Sequence, residues 1–373
     1  MANTTSSGRA DAAPSTVRHQ ALAPHRAWRS PALTVALCGV LLTLLALTPF
    51  VLPLSALLVL QSVIGLALFA SATNLLIGYA GLVSFGQAAF YGTGAYVVAL
   101  LWLHLKLSFW VSFFLAPVAG ALAALLVGLI ALRTRRLYFA LLTLAFSELF
   151  YVIAQQQYGF TGGDNGVFGA ILPASLVDPL GGFYFTLAVA TVCLLLLWKV
   201  TISPFGLTLR SIRENRERAE ALGVNVYRHQ LVAFVISGAL CAVAGTLFVV
   251  HDQSAYPTLL DWTESGYPIF MAVIGGMFSF LGPVLGALLF EAGRDVIVAH
   301  IAYWQLIFGA ILLLIVLFAP DGLTGLASRG WMRLRALRSR PAAAQPSDDT
   351  DDDTDSLALS ESSPTESTPG GQG

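Results

Sequence analysis

The stretch SPALTVALCGVLLTLLALTPFVLPLSALLVLQSVIGLALFASATNLLIGYAGLVSFGQAAFYGTGAYVVALLWLHL, residues 30–105, contains no Asp, Glu, Lys or Arg. A helix needs about 20 apolar residues to cross a bilayer, so this run alone holds about three crossings. A soluble core has no use for such a segment. The whole chain agrees: 56% of its 373 residues are hydrophobic and 11% are charged, under half the charged share of a soluble domain. Length here counts crossings, not soluble domains.

Breaks at Pro49 and Pro53, at 78–81 and at 104–106 divide the run into spans over about 32–52, 55–77 and 82–103. Further spans are expected over about 109–132, 137–155, 183–200, 230–250 and 297–319. Three basic clusters set the orientation. Arg133 with Arg135 and Arg136, the segment Lys199 to Arg228, and Arg329 to Arg340 are all expected on the cytoplasmic side. Each interval between them must then hold an even number of crossings, so Ser265 to His300 contributes two crossings or a re-entrant excursion. The expected fold is therefore all-α and polytopic, with about ten transmembrane helices and both termini cytoplasmic. Eight helices plus a re-entrant segment is the alternative. Ten spans oblige the ninth to carry Glu291, Arg294 and Asp295, which share one helical face at offsets of three and four and can pair.

Domain organisation follows: a cytosolic tail over 1–30, a membrane domain over 31–328 with a cytoplasmic loop at 201–229, and a basic juxtamembrane segment with an acidic, disordered tail over 329–373. Eight of the 21 acids lie in residues 348–373, so the rest of the chain carries 20 basic and 13 acidic residues. Cys38, Cys193 and Cys241 sit in apolar segments at wide spacings, and the six histidines lack ligand spacing. No disulfide framework, metal site or catalytic group is expected.

Energy coupling leaves marks, and most are missing. A phosphate-binding loop needs a Gly-Lys pair, but Lys106 follows Leu105 and Lys199 follows Trp198. Ion-coupled carriers place acids within the bilayer, yet the first four spans carry no charge. The segment ISPFGLTLRSIRENRERAEALGVNVYRHQ, 202–230, is more informative. Pro204 and Gly206 break the preceding helix, and a helical run over about 207–222 places Leu209, Ile212, Arg213, Arg216 and Glu220 near one another. Gly223 is a C-terminal stop. Such a helix suits a surface that transmits force from a docked partner, and equally one that rests on lipid headgroups.

Within that segment, Ala219-Glu220-Ala221-Leu222-Gly223 resembles the EAA-type loop by which ABC importer permeases engage their ATPase subunits. Four further stretches resemble the M-type permease of the bacterial branched-chain amino acid importers: GYAGLVSFGQAAFYGTGAY (78–96); RLYFALLTLAFSEL (136–149) with FTGGDNGV (160–167); SPFGLTLRSIRENRERAEALG (203–223); and GGMFSFLGPVLGA (275–287) with FAPDGLTGL (318–326). Gln87 stands where His is expected in many relatives.

The resemblance implies a multi-pass subunit of the bacterial cytoplasmic (inner) membrane, without enzymatic activity or cofactor of its own. Its implied partners are a second permease, two ATP-binding subunits that use the ATP, and a periplasmic or lipoprotein solute-binding protein, within the lipid bilayer; no nucleic acid is expected. Branched-chain amino acids are the implied substrates, and related permeases serve urea, short amides and small carboxylates. ATPase coupling falls to Arg213, Arg216, Ala219, Glu220, Ala221 and Gly223. Gly78, Gly81, Ser84, Gly86, Gln87, Gly92, Gly94 and Glu148 are candidates for the pathway or its gate, although the glycines equally suit helix packing. Thr161, Gly162, Gly163, Asp164, Asn165 and Gly166 form a candidate extracytoplasmic docking loop that also reads as a plain turn cluster. The rivals are an ion-coupled secondary carrier and a channel for small neutral solutes.

Overall fold

A computed structural model describes residues 45, 47–50, 52–134, 136–169 and 172–298, with scattered positions between 306 and 325. The chain divides into two units, 1–326 and 327–373, and the second lies outside the described residues. Also outside them are the expected tails at 1–30 and 329–373, most of the spans at 32–52 and 297–319, and Arg135.

Among the described residues six helices are long and apolar enough to cross a membrane, which makes the chain a polytopic, mostly helical membrane protein. They are α1 (Leu54–Asn74), continued to Ala80 by a π-turn, α2 (Gln87–Leu105), α3 (Phe109–Ala131), α4 (Arg136–Gln156), α5 (Pro179–Ile202) and, after two short helices, α8 (Val226–Asp252). Those two are α6 (Pro204–Glu214) and α7 (Arg216–Ala221); α9 (Gly266–Gly275) and α10 (Gly282–Val298) follow, and single-turn helices at Tyr158–Thr161 and Ala174–Val177 lie between α4 and α5. Small residues let the central helices approach backbone to backbone. A Cβ on Gly94 of α2 would lie 2.0 Å from the Ala242 carbonyl oxygen of α8, and one on Gly120 of α3 would lie 2.8 Å from that of Gly238.

Two sequence expectations are corrected. The third span starts at Gln87 rather than near residue 82, because Gly81 ends the π-turn at φ 69° and residues 82–86 run non-helically. The amphipathic run over 207–222 is two helices: Asn215 is extended, at φ −154°, and its side chain accepts from the Arg218 N–H at 2.9 Å to cap α7. Arg213 therefore does not share a continuous helical face with Arg216 and Glu220.

Irregular backbone interrupts the bundle in two places. After the π-turn the chain folds back into the bundle before α2 begins: the Ser237 hydroxyl, which donates to the Ala72 carbonyl at 2.7 Å, also reaches Gln87 Oε1 at 3.0 Å. The start of α2 is thus level with Ala72, about 12 Å short of Ala80 at 1.5 Å per residue. The second break lies in 254–276. Ala255 pairs with Val167 in a two-residue β-ladder at one end of the bundle, whereas Met277 touches Gly78 at the other. Between them α9 supplies only 10 residues, about 15 Å of rise, and a short 3-10 turn (Pro257–Leu260) with irregular backbone supplies the rest. The two breaks meet where Ser265 Oγ accepts from the Ala88 N–H at 2.9 Å, and the Phe85 N–H finds Thr143 Oγ1 at 3.2 Å. Irregular backbone within a bundle requires such partners, since lipid offers none.

Candidate functional site

At the arginine-rich end, α6 begins as its sequence dictates. Pro204 occupies the first turn and Ser203 caps it, accepting from the Gly206 N–H at 3.4 Å. Leu209 and Ile212 are fully buried, which turns Arg210 and Arg213 toward the π-turn of α1. Arg213 donates from Nη1 to the Gly78 carbonyl oxygen. Its guanidinium lies 4.9 Å from the Phe278 ring, and that of Arg210 lies 4.8 Å from the Tyr79 ring. A helix end leaves carbonyls without intrahelical partners and carries partial negative charge, so a cation there satisfies both. Burial lowers the Arg213 pKa from its ordinary value, with Glu214 opposing, and the guanidinium remains charged. Gly81 is required twice over, by its positive φ and because a Cβ would meet Arg213 Cγ at 2.7 Å. Thus α6 grips both breaks in the bundle, at Gly78–Gly81 and at Met277–Phe278.

The neighbouring α7 carries the rest of the expected coupling residues. Ala219 is buried against Ile212 and Val226. Arg216 pairs with Glu220 at 2.9 Å on the exposed face, a contact worth a few tenths of a kcal/mol. Gly223, at φ 83°, closes the helix: its N–H donates to the Glu220 carbonyl at 3.0 Å, and the Val224 N–H to that of Ala219 at 3.1 Å, the paired bonds of a Schellman turn. Leu222 is left 79% exposed, an apolar knob that the sequence reading passed over.

The candidate pathway residues sit at packing contacts. Gln87 is 0% exposed; its amide donates to Ser84 Oγ at 3.3 Å, and its Oε1 accepts from Ser237 and, at 3.2 Å, from Cys241. A Cβ on Gly78 would meet the Met277 carbonyl oxygen at 2.2 Å, on Gly86 that of Thr143 at 2.9 Å, and on Gly92 the Leu260 side chain at 2.5 Å. Glu148 is half-buried on α4, about 12 Å from the Gln156 end at 1.5 Å per residue.

At the other end of the bundle the loop 161–166 is pinned from several sides. The Thr161 hydroxyl donates to the Ala154 and Gln157 carbonyls, Gln155 donates to Asp164 at 2.8 Å, and Gly166 abuts the Ala255 carbonyl. Asp164 and Asn165 face outward, with Tyr158, Phe160 and Phe168 exposed beside them.

Beside this end lies a cavity of about 450 Å³. It is bounded by the first half of α1, the last turns of α8, the connection 253–265 and the second half of α10. Asp252, Glu264, Glu291 and Arg294 all line it. Glu291 is 7% exposed, accepts from Ser62 Oγ at 3.1 Å and lies 3.5 Å from Arg294, the pairing that the sequence offsets allow. Asp252 and Glu264 carry no motif or spacing signal and reach the site only through tertiary packing.

The comparisons accord with this architecture. The family model described as "Branched-chain amino acid transport system / permease component" matches residues 55–317. The chain is 30% identical over 277 residues to the high-affinity branched-chain amino acid transport system permease protein LivM of Salmonella typhimurium, covering 67% of this chain and 65% of the relative. It is 26% identical over 229 residues to the probable LivM of Methanocaldococcus jannaschii, covering 56% and 66%. With the probable permease LivH of the same organism it is 31% identical over 155 residues, covering 39% and 46%. The chain thus spans about two thirds or less of the length of these relatives, and no solved structure matches it. Since the family model covers most of the chain, the protein belongs to the branched-chain amino acid transport system permease family.

Proposed function

We propose that the chain is one permease subunit of an ATP-driven importer of branched-chain amino acids in the bacterial inner membrane. A second permease, two ATP-binding subunits and a solute-binding protein complete the importer. The observation that carries this reading is the arm formed by α6 and α7, clamped onto both helix breaks through Arg213 while Leu222 projects outward. An ATP-binding subunit that seats Leu222 and moves on nucleotide binding pulls α6, and α6 pulls the breaks at 78–81 and 276–281. The basic clusters support a cytoplasmic position for this arm.

Ten crossings and two cytoplasmic termini fit that orientation. The path from Ala255 to Met277 serves as one discontinuous crossing, α10 as its return, and the apolar runs at 32–52 and 297–319 as the first and last. The rigid loop 161–166 with its exposed aromatic side chains then faces the solute-binding protein. The weakly buried faces of α3 and α4, with half-buried Glu148, suit the second permease.

Co-purification tests the docking. ATP-binding subunits encoded with this chain should be retained by the tagged wild type and lost from Leu222→Asp. Equal retention by both would refute docking at this surface. One observation favours an ion-coupled carrier instead: acids lining a cavity within the bundle. Accumulation driven by an ion gradient through the chain alone would establish that second reading.

A further inference from the structure

The charged cavity is foreign to an otherwise charge-poor bundle. Ionised groups at membrane depth are expensive, and where several converge they mark a route for something that needs them. Arg294 lies 3.5 Å from Glu291 on its own helix, and Glu264 faces the same space from a different element. Glu264 lines the wall from the connection 253–265, and its carboxylate makes no hydrogen bond among the described residues. Arg294 lines it from α10, with its side chain 45% exposed. The remaining wall is mixed: Gln61, Ser62, His251, Asp252 and Glu291 line it beside an apolar side formed by Phe69, Leu247, Phe248, Met271 and Phe290. A volume of about 450 Å³ falls within the range of small-molecule sites.

An occupant matched to this lining has a cationic head, an anionic head and an aliphatic body. We propose that the cavity is a transit site for a zwitterionic aliphatic amino acid within the permease itself. Glu264 and Glu291 take the ammonium, Arg294 takes the carboxylate in its planar fork, and the side chain lies against Phe69 and Leu247. This rests on the reading of the chain as an amino acid permease and adds a recognition site of its own, separate from that of the solute-binding protein. The position fits a relay: the cavity lies by the end of the bundle that carries the loop 161–166, and its floor at Met271 is on α9, whose C-terminal end leads to the break gripped by α6.

Gly65 supplies a clean steric test. It lines the cavity, and a Cβ built there meets nothing within 4 Å. Gly65→Leu therefore adds bulk at the cavity wall with no clash at its Cβ, and replaces a poor helix former with a good one. The assay uses the complete membrane complex in nanodiscs without the solute-binding protein and measures binding of tritiated L-leucine. Competitors are unlabelled L-leucine, isopentylamine, which lacks the carboxylate, and 4-methylpentanoate, which lacks the ammonium.

The expected result is saturable leucine binding that neither one-charge analogue displaces at tenfold higher concentration. Arg294→Gln and Glu264→Gln should each weaken it at least tenfold, and Gly65→Leu should remove it while the melting temperature is retained. Absence of saturable binding, indifference to all three variants, or displacement by isopentylamine as effectively as by leucine would overturn the proposal. ATP-driven leucine uptake by the same wild-type complex, with its binding protein added back, separates the two levels. Intact uptake with no cavity binding refutes this site alone, whereas uptake of a different solute in place of leucine removes the substrate reading beneath it.

Discussion

Replacing Arg213 with Ala should uncouple ATP use from import. The side chain makes a charge-assisted hydrogen bond to the Gly78 carbonyl and stacks on Phe278. A hydrogen bond involving a charged group contributes about 1.5–3 kcal/mol, and an exposed cation–π contact about 0.5–1 kcal/mol. The substitution also strands the Gly78 carbonyl at a helix end. Loss of about 2–3 kcal/mol from the grip of α6 on the breaks shifts the docked-to-undocked ratio by about 30- to 150-fold, at 1.4 kcal/mol per tenfold. The assay is ATP-driven leucine uptake in proteoliposomes, with phosphate release measured in the same sample. Arg213→Ala should reduce uptake at least tenfold and raise the ATP consumed per leucine imported. Arg213→Lys keeps the charge without the planar fork and should fall between the two. Uptake by Arg213→Ala within twofold of wild type, at an unchanged ATP-to-leucine ratio, would refute transmission through this contact.

Gln87→Leu removes the closed network of Ser84, Ser237 and Cys241 and should cost about 1 kcal/mol, the scale of interhelical hydrogen bonds in membranes. Thermal unfolding in detergent should show a midpoint lower by about 2–4 °C. Gly223→Val meets no neighbour but must hold φ 83°, which costs about 1–2 kcal/mol, so it should loosen α7 and lower retention of the ATP-binding subunits, whereas Gly223→Asn should be tolerated. Gly94→Val sets a Cβ 2.0 Å from the Ala242 carbonyl oxygen and should abolish accumulation of folded protein, read by fluorescence-detected gel filtration.

The membrane character of the fold was legible because a charge-free run permits no other placement, and the spans near 109–132 and 137–155 fell within two residues of α3 and α4. The stop at Gly223 was legible for a local reason, the left-handed backbone that glycine adopts without strain. What the sequence hid is one local cap and several distant contacts. Asn215 sits inside an apparent amphipathic repeat and reads as one more polar residue, until its side chain caps α7 and splits the run. Nothing at 82–86 announces non-helical backbone, because its cost is met by Thr143, 58 positions away along the chain. Likewise the Glu291–Arg294 pair is visible as an i,i+3 spacing, but Glu264 joins it only when the connection 253–265 folds into the bundle.

Reconstitution gives the most direct test of whether a nucleotide-driven neighbour supplies the work. Proteoliposomes should contain either this chain alone or the full set of two permeases and two ATP-binding subunits, with the solute-binding protein outside. Leucine should accumulate above the external concentration only in the full set, only with ATP inside, and not when a proton or sodium gradient replaces ATP. Uphill accumulation by this chain alone on an ion gradient would contradict the coupling described for α6 and α7.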